Sequence, residues 1–175
     1  MLFKRDELSE GNTNAPSTQP HTVLTHQNSD SFKLTSSLMS YPLYICTYDR
    51  GKDSSGGTKP YHWSFFIATD SGNKNKGIAH QLRGGKGFFR YKGAEDVSDL
   101  TKTTLNALKD RLEIGAIPAA SVGSVHGLLK DVEIVQDETS EWNCQSWAEV
   151  AFEVMKAKGW VWASIDAVKS KLKED

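Results

Sequence analysis

The chain has 175 residues, with Lys+Arg 21 against Asp+Glu 22 and 38% hydrophobic residues. That is enough for about one domain with a real core, and the near-balanced charge, with no basic block, argues against a nucleic-acid partner. No apolar run reaches membrane-spanning length, and the first residues lack the apolar stretch of a secretory signal. Two cysteines, Cys46 and Cys144, make neither a disulfide framework nor a zinc spacing, so a reducing compartment is expected. A soluble cytoplasmic protein without metal or cofactor is the expectation.

Residues 1–39 differ from the rest. Gly11 to Pro20 is polar, holds two prolines and shows no period. Such a segment buries too little apolar surface to offset its ordering entropy. It reads as a disordered or loosely draped arm, with His21 and His26 solvated. A single domain is expected over 40–175.

Pro42 to Tyr48 reads as a strand, rich in aromatic and β-branched residues, with Cys46 packed inside it. Asp49 to Pro60 is a long turn signal. Tyr61 to Ile67 is a second strand, whose alternation puts His62, Ser64 and Phe66 on one face and Trp63, Phe65 and Ile67 on the other. Gly77 to Leu82 is a third strand carrying His80, and Phe88 to Tyr91 a further short one. Together they form an antiparallel meander. Arg83 to Gly87 lacks the form of a phosphate loop and reads as a turn or flexible rim.

Residues 97–114 switch to a helical stripe through Leu100, Leu105, Leu108 and Leu112, with Ser98 as a cap and Gly115 and Pro118 as stops. Ser121 to Gly127 reads as a small-residue loop holding His126, an exposed reserve candidate for a base. Leu128 to Gln136 reads as a strand. A turn at 137–140 leads to a helix that begins at Cys144, runs through Ala148, Ala151, Phe152 and Met155, and ends at Gly159. A last helix covers Ser164 to Leu172. Trp160 to Trp162, between the two, reads as a packing wedge, the alternative being an exposed tryptophan that lines a ligand groove.

Cys144 carries the chemistry. The N–H groups at a helix start have no partner within the helix, and the dipole there is positive, which biases a thiol toward thiolate. Thiol catalysis also needs an imidazole within reach and a polar group to orient it. His62 and His80 come from adjacent strands, and a helix packed across those strands brings all three together. Asn143 either only caps the helix or also polarises a carbonyl. Trp63, Trp142 and Gln145 either line the substrate region or pack beside it.

The order His62-Trp-Ser-Phe-Phe-Ile, then Gly77-Ile-Ala-His80-Gln-Leu, then Asn143-Cys144-Gln145-Ser146-Trp147 resembles the permuted papain-like proteins. It is most similar to the lecithin:retinol acyltransferase-like branch of the NlpC/P60 superfamily. That branch carries a His before an aromatic on one strand, a second His on the next, and an Asn-Cys pair opening a helix. The resemblance implies an α+β fold, a small antiparallel sheet packed against helices in circularly permuted papain-like order. It implies Cys144 as nucleophile, His62 as base and His80 as the orienting residue. Trp63, Trp142, Asn143 and Gln145 are then the expected substrate-binding residues. The expected substrate is a small-molecule, lipid or peptide acyl group, as an amide, ester or thioester. The alternative is a non-catalytic relative that holds a peptide or small molecule in an aromatic-lined cleft.

Overall fold

Five antiparallel strands stand side by side in a computed structural model that describes residues 39–102 and 108–172. The strands are β1 (Ser40–Tyr48), β2 (His62–Ile67), β3 (Gly77–His80), β4 (Leu82–Arg83), β5 (Arg90–Tyr91), β6 (Glu95–Val97) and β7 (Leu108–Pro118). The main sheet runs β6-β3-β2-β1-β7, and β4 and β5 pair separately. The helices are α1 (Val122–Lys130), α2 (Cys144–Ala157) and α3 (Ile165–Lys171). The fold is α+β, a small antiparallel sheet packed against helices. The arm expected over 1–39 lies outside the described residues, except for Met39.

Alternation along β2 divides the core. Trp63, Phe65 and Ile67 join Leu43, Ile45, Trp147, Ala151, Phe152 and Met155 in one cluster between sheet and helices. Tyr44, Cys46, Tyr48, Phe66 and Ala79 make a second cluster on the other face, closed by Leu100. Trp147 is the anchor of the first. It is fully buried, with its ring 6.2 Å from Phe65 and 5.5 Å from Tyr91. Aromatic pairs at such distances add about 0.5–1.5 kcal/mol beyond the area they bury.

Three expectations are corrected. The helix over 97–114 is a 3-10 turn at Leu100–Lys102 followed by β7 from Leu108, with Leu105 outside the described residues. Leu108 and Leu112, four apart, fit a strand as well as a helix. Along β7 Leu108, Asp110 and Leu112 are half-buried while Lys109, Arg111 and Glu113 are exposed, which is the period of a strand. Pairing with β1 along its whole length decides the matter. The expected loop at 121–127 is α1, whose Val125 and Leu129 are buried at helical spacing. The expected strand over 128–136 is the end of α1 and an irregular segment. The wedge at Trp160 to Trp162 runs beside β7, where Val161 bridges Gly115 and Trp162 N–H donates to Ile114 O at 3.1 Å. Trp162 itself is 64% exposed.

Candidate active site

Asn143 sets the position of the thiol. Its extended backbone precedes α2, and its side-chain oxygen accepts from the Gln145 N–H at 2.8 Å. The Ser146 hydroxyl accepts from the Asn143 N–H in return, at 3.3 Å, which completes a capping box. Cys144 is therefore the first residue of α2. The helix mouth is fastened to the start of β2 beside His62. Gln145 Nε2 donates to the Tyr61 carbonyl at 2.9 Å.

Cys144 and His62 open into one cavity of about 160 Å³ at this edge of the sheet. Arg50 and Arg83 supply its charge, and Leu82, Gly84 and Phe89 close it. His62 is half-buried and shares no hydrogen bond with Cys144 among the described residues; its Nε2 lies 2.8 Å from Gln81 Oε1. The amide of Gln81 is oriented by what lies behind it. Gln81 Nε2 is 3.3 Å from Glu95 Oε1, and a carboxylate only accepts, so the nitrogen faces Glu95 and the oxygen faces His62. Glu95 is in turn clamped by Arg83, at 2.6 Å and 3.3 Å. His62 thus carries its proton on Nε2 and leaves Nδ1 bare.

The expected orienting residue, His80, is placed elsewhere. It pairs with Phe65 across the β2–β3 ladder. Phe65 is three residues from His62, so the two histidines leave the sheet on opposite faces. His80 Nδ1 lies 2.7 Å from the Tyr91 hydroxyl, and its ring stacks on Tyr91 at 6.2 Å. Its Nε2 is buried without a partner. Tyr91 stacks on His126 as well, at 5.6 Å, so exposed His126 belongs to this cluster and not to the cavity wall. Gln81 is the residue that contacts His62. Its signal is in the register: Ala79 pairs with Phe66, on the face of His62, and Gln81 lies two residues further along.

The residues expected to bind substrate have mostly structural contacts. Trp63 is 4% exposed in the core, with its Nε1 unpartnered. Trp142 stacks edge-on against Phe89 at 5.5 Å and so backs a cavity wall. Asn143 caps, and Gln145 straps the helix to β2.

Electrostatics corrects the expectation of a resting thiolate. Burial pushes the Cys144 thiol up from its ordinary value, against the Trp63 N–H, the Arg50 charge and the N–H groups of Cys144 and Gln145, which pull it down. Burial also lowers His62, helped by Arg50 and Arg83 and opposed by the Gln81 hydrogen bond and Glu95. Burial thus disfavours the charged form of both groups. His80 is brought down to about 4 by burial and by the charge of His126.

Fold and site together define a small α+β protein in which a buried thiol at a helix mouth and an imidazole line one cavity with two arginines. The chain belongs to the family of unknown function DUF6914, whose model matches residues 41–172. Neither a curated protein nor a solved structure matches it. No helix among the described residues is long and apolar enough to cross a membrane.

Proposed function

We propose that this protein is a cysteine-dependent hydrolase or acyltransferase of the permuted papain-like kind, similar to the lecithin:retinol acyltransferase-like branch of the NlpC/P60 superfamily. It acts in the cytoplasm on an amide, ester or thioester through an acyl-thioester intermediate. The observation that carries this reading is the shared cavity. Cys144 and His62 line it together, and Gln81 holds the His62 proton on Nε2.

The bare Nδ1 takes the Cys144 proton, directly or through one water, as the sulfur attacks the acyl carbon. Burial disfavours a separate ion pair, which favours movement of the proton together with the attack. The new S–C bond leaves a tetrahedral oxyanion, for which the unpaired N–H groups at the start of α2, that of Cys144 among them, are the backbone donors. His62 then returns the proton to the leaving group. Water or an acceptor nucleophile, deprotonated by the same nitrogen, releases the acyl group. Gln81 takes the orienting role that the resemblance implied for His80.

A non-catalytic binding module is the second reading, and one observation favours it. The raised thiol is the state of an unused cysteine. The cleft such a module requires is less well supported, because Trp63 and Trp147 are core residues and only Phe89 brings an aromatic ring into the cavity. Incubation with 4-nitrophenyl acetate separates the two. The enzyme reading predicts one acetyl group on the Cys144 peptide and none in Cys144→Ala. The binder predicts no adduct.

A further inference from the structure

The two arginines of the cavity are in different states. Arg83 is held in a two-point contact by Glu95, at 2.6 Å and 3.3 Å, so its charge is largely matched. Arg50 has no ion pair or hydrogen bond among the described residues, yet it lines the cavity and its charge is felt at both Cys144 and His62. No acidic side chain forms part of that wall. The backbone that carries Arg50 is fixed. Asp49 Oδ1 accepts the Gly51 N–H at 2.7 Å, the Gly51 carbonyl accepts the Lys59 N–H at 3.1 Å, and Lys52 bridges Thr58. Gly51 has φ 65°, a conformation glycine adopts without strain. The guanidinium of this exposed arginine thus lines the same cavity as the thiol with its donors open.

We propose that Arg50 is a specificity-determining residue that selects acyl substrates carrying a carboxylate close to the carbonyl that Cys144 attacks. This rests on the enzyme reading and names its substrate class. Charge and size both point there. Arg50 has five donors in a planar fork that matches a carboxylate. The cavity, about 160 Å³ and open to solvent on one side, has room for a short acidic acyl group beside Cys144.

Two alkylating reagents of nearly the same shape test it without any knowledge of the natural substrate. Iodoacetate bears a carboxylate, and iodoacetamide is its neutral counterpart. In each reaction the Cys144 sulfur bonds to the methylene carbon, iodide leaves, and the thiol proton passes to His62 or solvent. Rates are read on the Cys144 peptide by mass spectrometry, at one alkaline pH, and divided. The ratio cancels the thiolate fraction, and buried Cys46 is resolved as a separate peptide. The iodoacetate-to-iodoacetamide ratio should exceed that of free glutathione by about 3- to 10-fold, fall in Arg50→Gln and shrink at high salt. A ratio equal to that of glutathione, or one unchanged in Arg50→Gln, overturns the proposal while leaving the enzyme reading intact. If Cys144 reacts with neither reagent, the cavity does not deliver small molecules to the sulfur and both readings fall.

Discussion

The Nε2 of His62 lies 2.8 Å from the side-chain oxygen of Gln81, and that contact fixes which imidazole nitrogen is free. Gln81→Ala removes it. The ring then loses its tautomer and its orientation together, so acylation of Cys144 should slow by about 10- to 100-fold. Gln81 is half-buried at the rim, and urea denaturation should show little change in stability. An unaltered acylation rate in Gln81→Ala would mean that the ring is held by other contacts.

Acid should weaken the fold through His80. Its folded-state value is lowered from 6.5 to about 4, so below 6.5 the unfolded chain takes up a proton that the folded chain refuses. Stability is full above 6.5, falls as pH drops toward about 4, and levels off below that. The contribution lost is on the order of 3 kcal/mol. His62 is shifted in the same direction and adds to the slope, while surface carboxylates such as Asp70 and Asp99 titrate lower still. Urea midpoints between pH 7.5 and pH 4.5 measure the fall. His80→Leu should flatten that slope, whatever it does to stability at neutral pH.

Asn143 holds the helix mouth closed. Asn143→Ala removes an oxygen that satisfies the first N–H groups of α2 and should cost about 1 kcal/mol in denaturant unfolding. Asn143→Asp keeps the cap and should restore most of it. Because the cap also positions Cys144, the alanine variant should lose acylation rate beyond what its stability explains.

Two glycines should respond to alanine in opposite senses. A Cβ on Gly115 would run into the Trp160 carbonyl, which accepts the Ala116 N–H at 2.9 Å, so the segment carrying Val161 must move away from β7. Gly115→Ala should cost about 1–3 kcal/mol. Gly127 lies in α1 with nothing within 4 Å of an added Cβ. Gly127→Ala should gain about 0.5–1 kcal/mol through helix propensity. Thermal unfolding of both variants beside the wild type distinguishes the two effects.

Much of this architecture is legible in the residues. Aromatic and β-branched runs mark β1 to β3, and Asn143, the apolar stripe after Cys144 and Gly159 mark the start, face and end of α2. Gly159 indeed takes φ 75°. The segments that misread are those where the local signal is ambiguous. Leu108 and Leu112 satisfy both periods, and only the partner strand β1 selects one. In α1 the spacing of Val122, Val125 and Leu129 is helical, but Gly123, Ser124 and Gly127 are weak helix formers and mask it. Among the site residues, Cys144 and His62 stand out by type and context. Gln81 does not, because an ordinary glutamine gains its role only from the register of β2 against β3 and from Glu95 behind it. The same register, read closely, already separates His80 from His62.

The most direct test is the pH dependence of Cys144 acylation by 4-nitrophenyl acetate, compared between the wild type and His62→Ala. With neutral His62 as the base, the rate should rise through an ionisation below 6.5 and stay level to neutral pH, and His62→Ala should lose that plateau, about 100-fold or more. A wild-type rate that climbs only with ionisation of the thiol, and that His62→Ala leaves unchanged, would contradict the assignment of the imidazole and with it the chemistry proposed for the cavity.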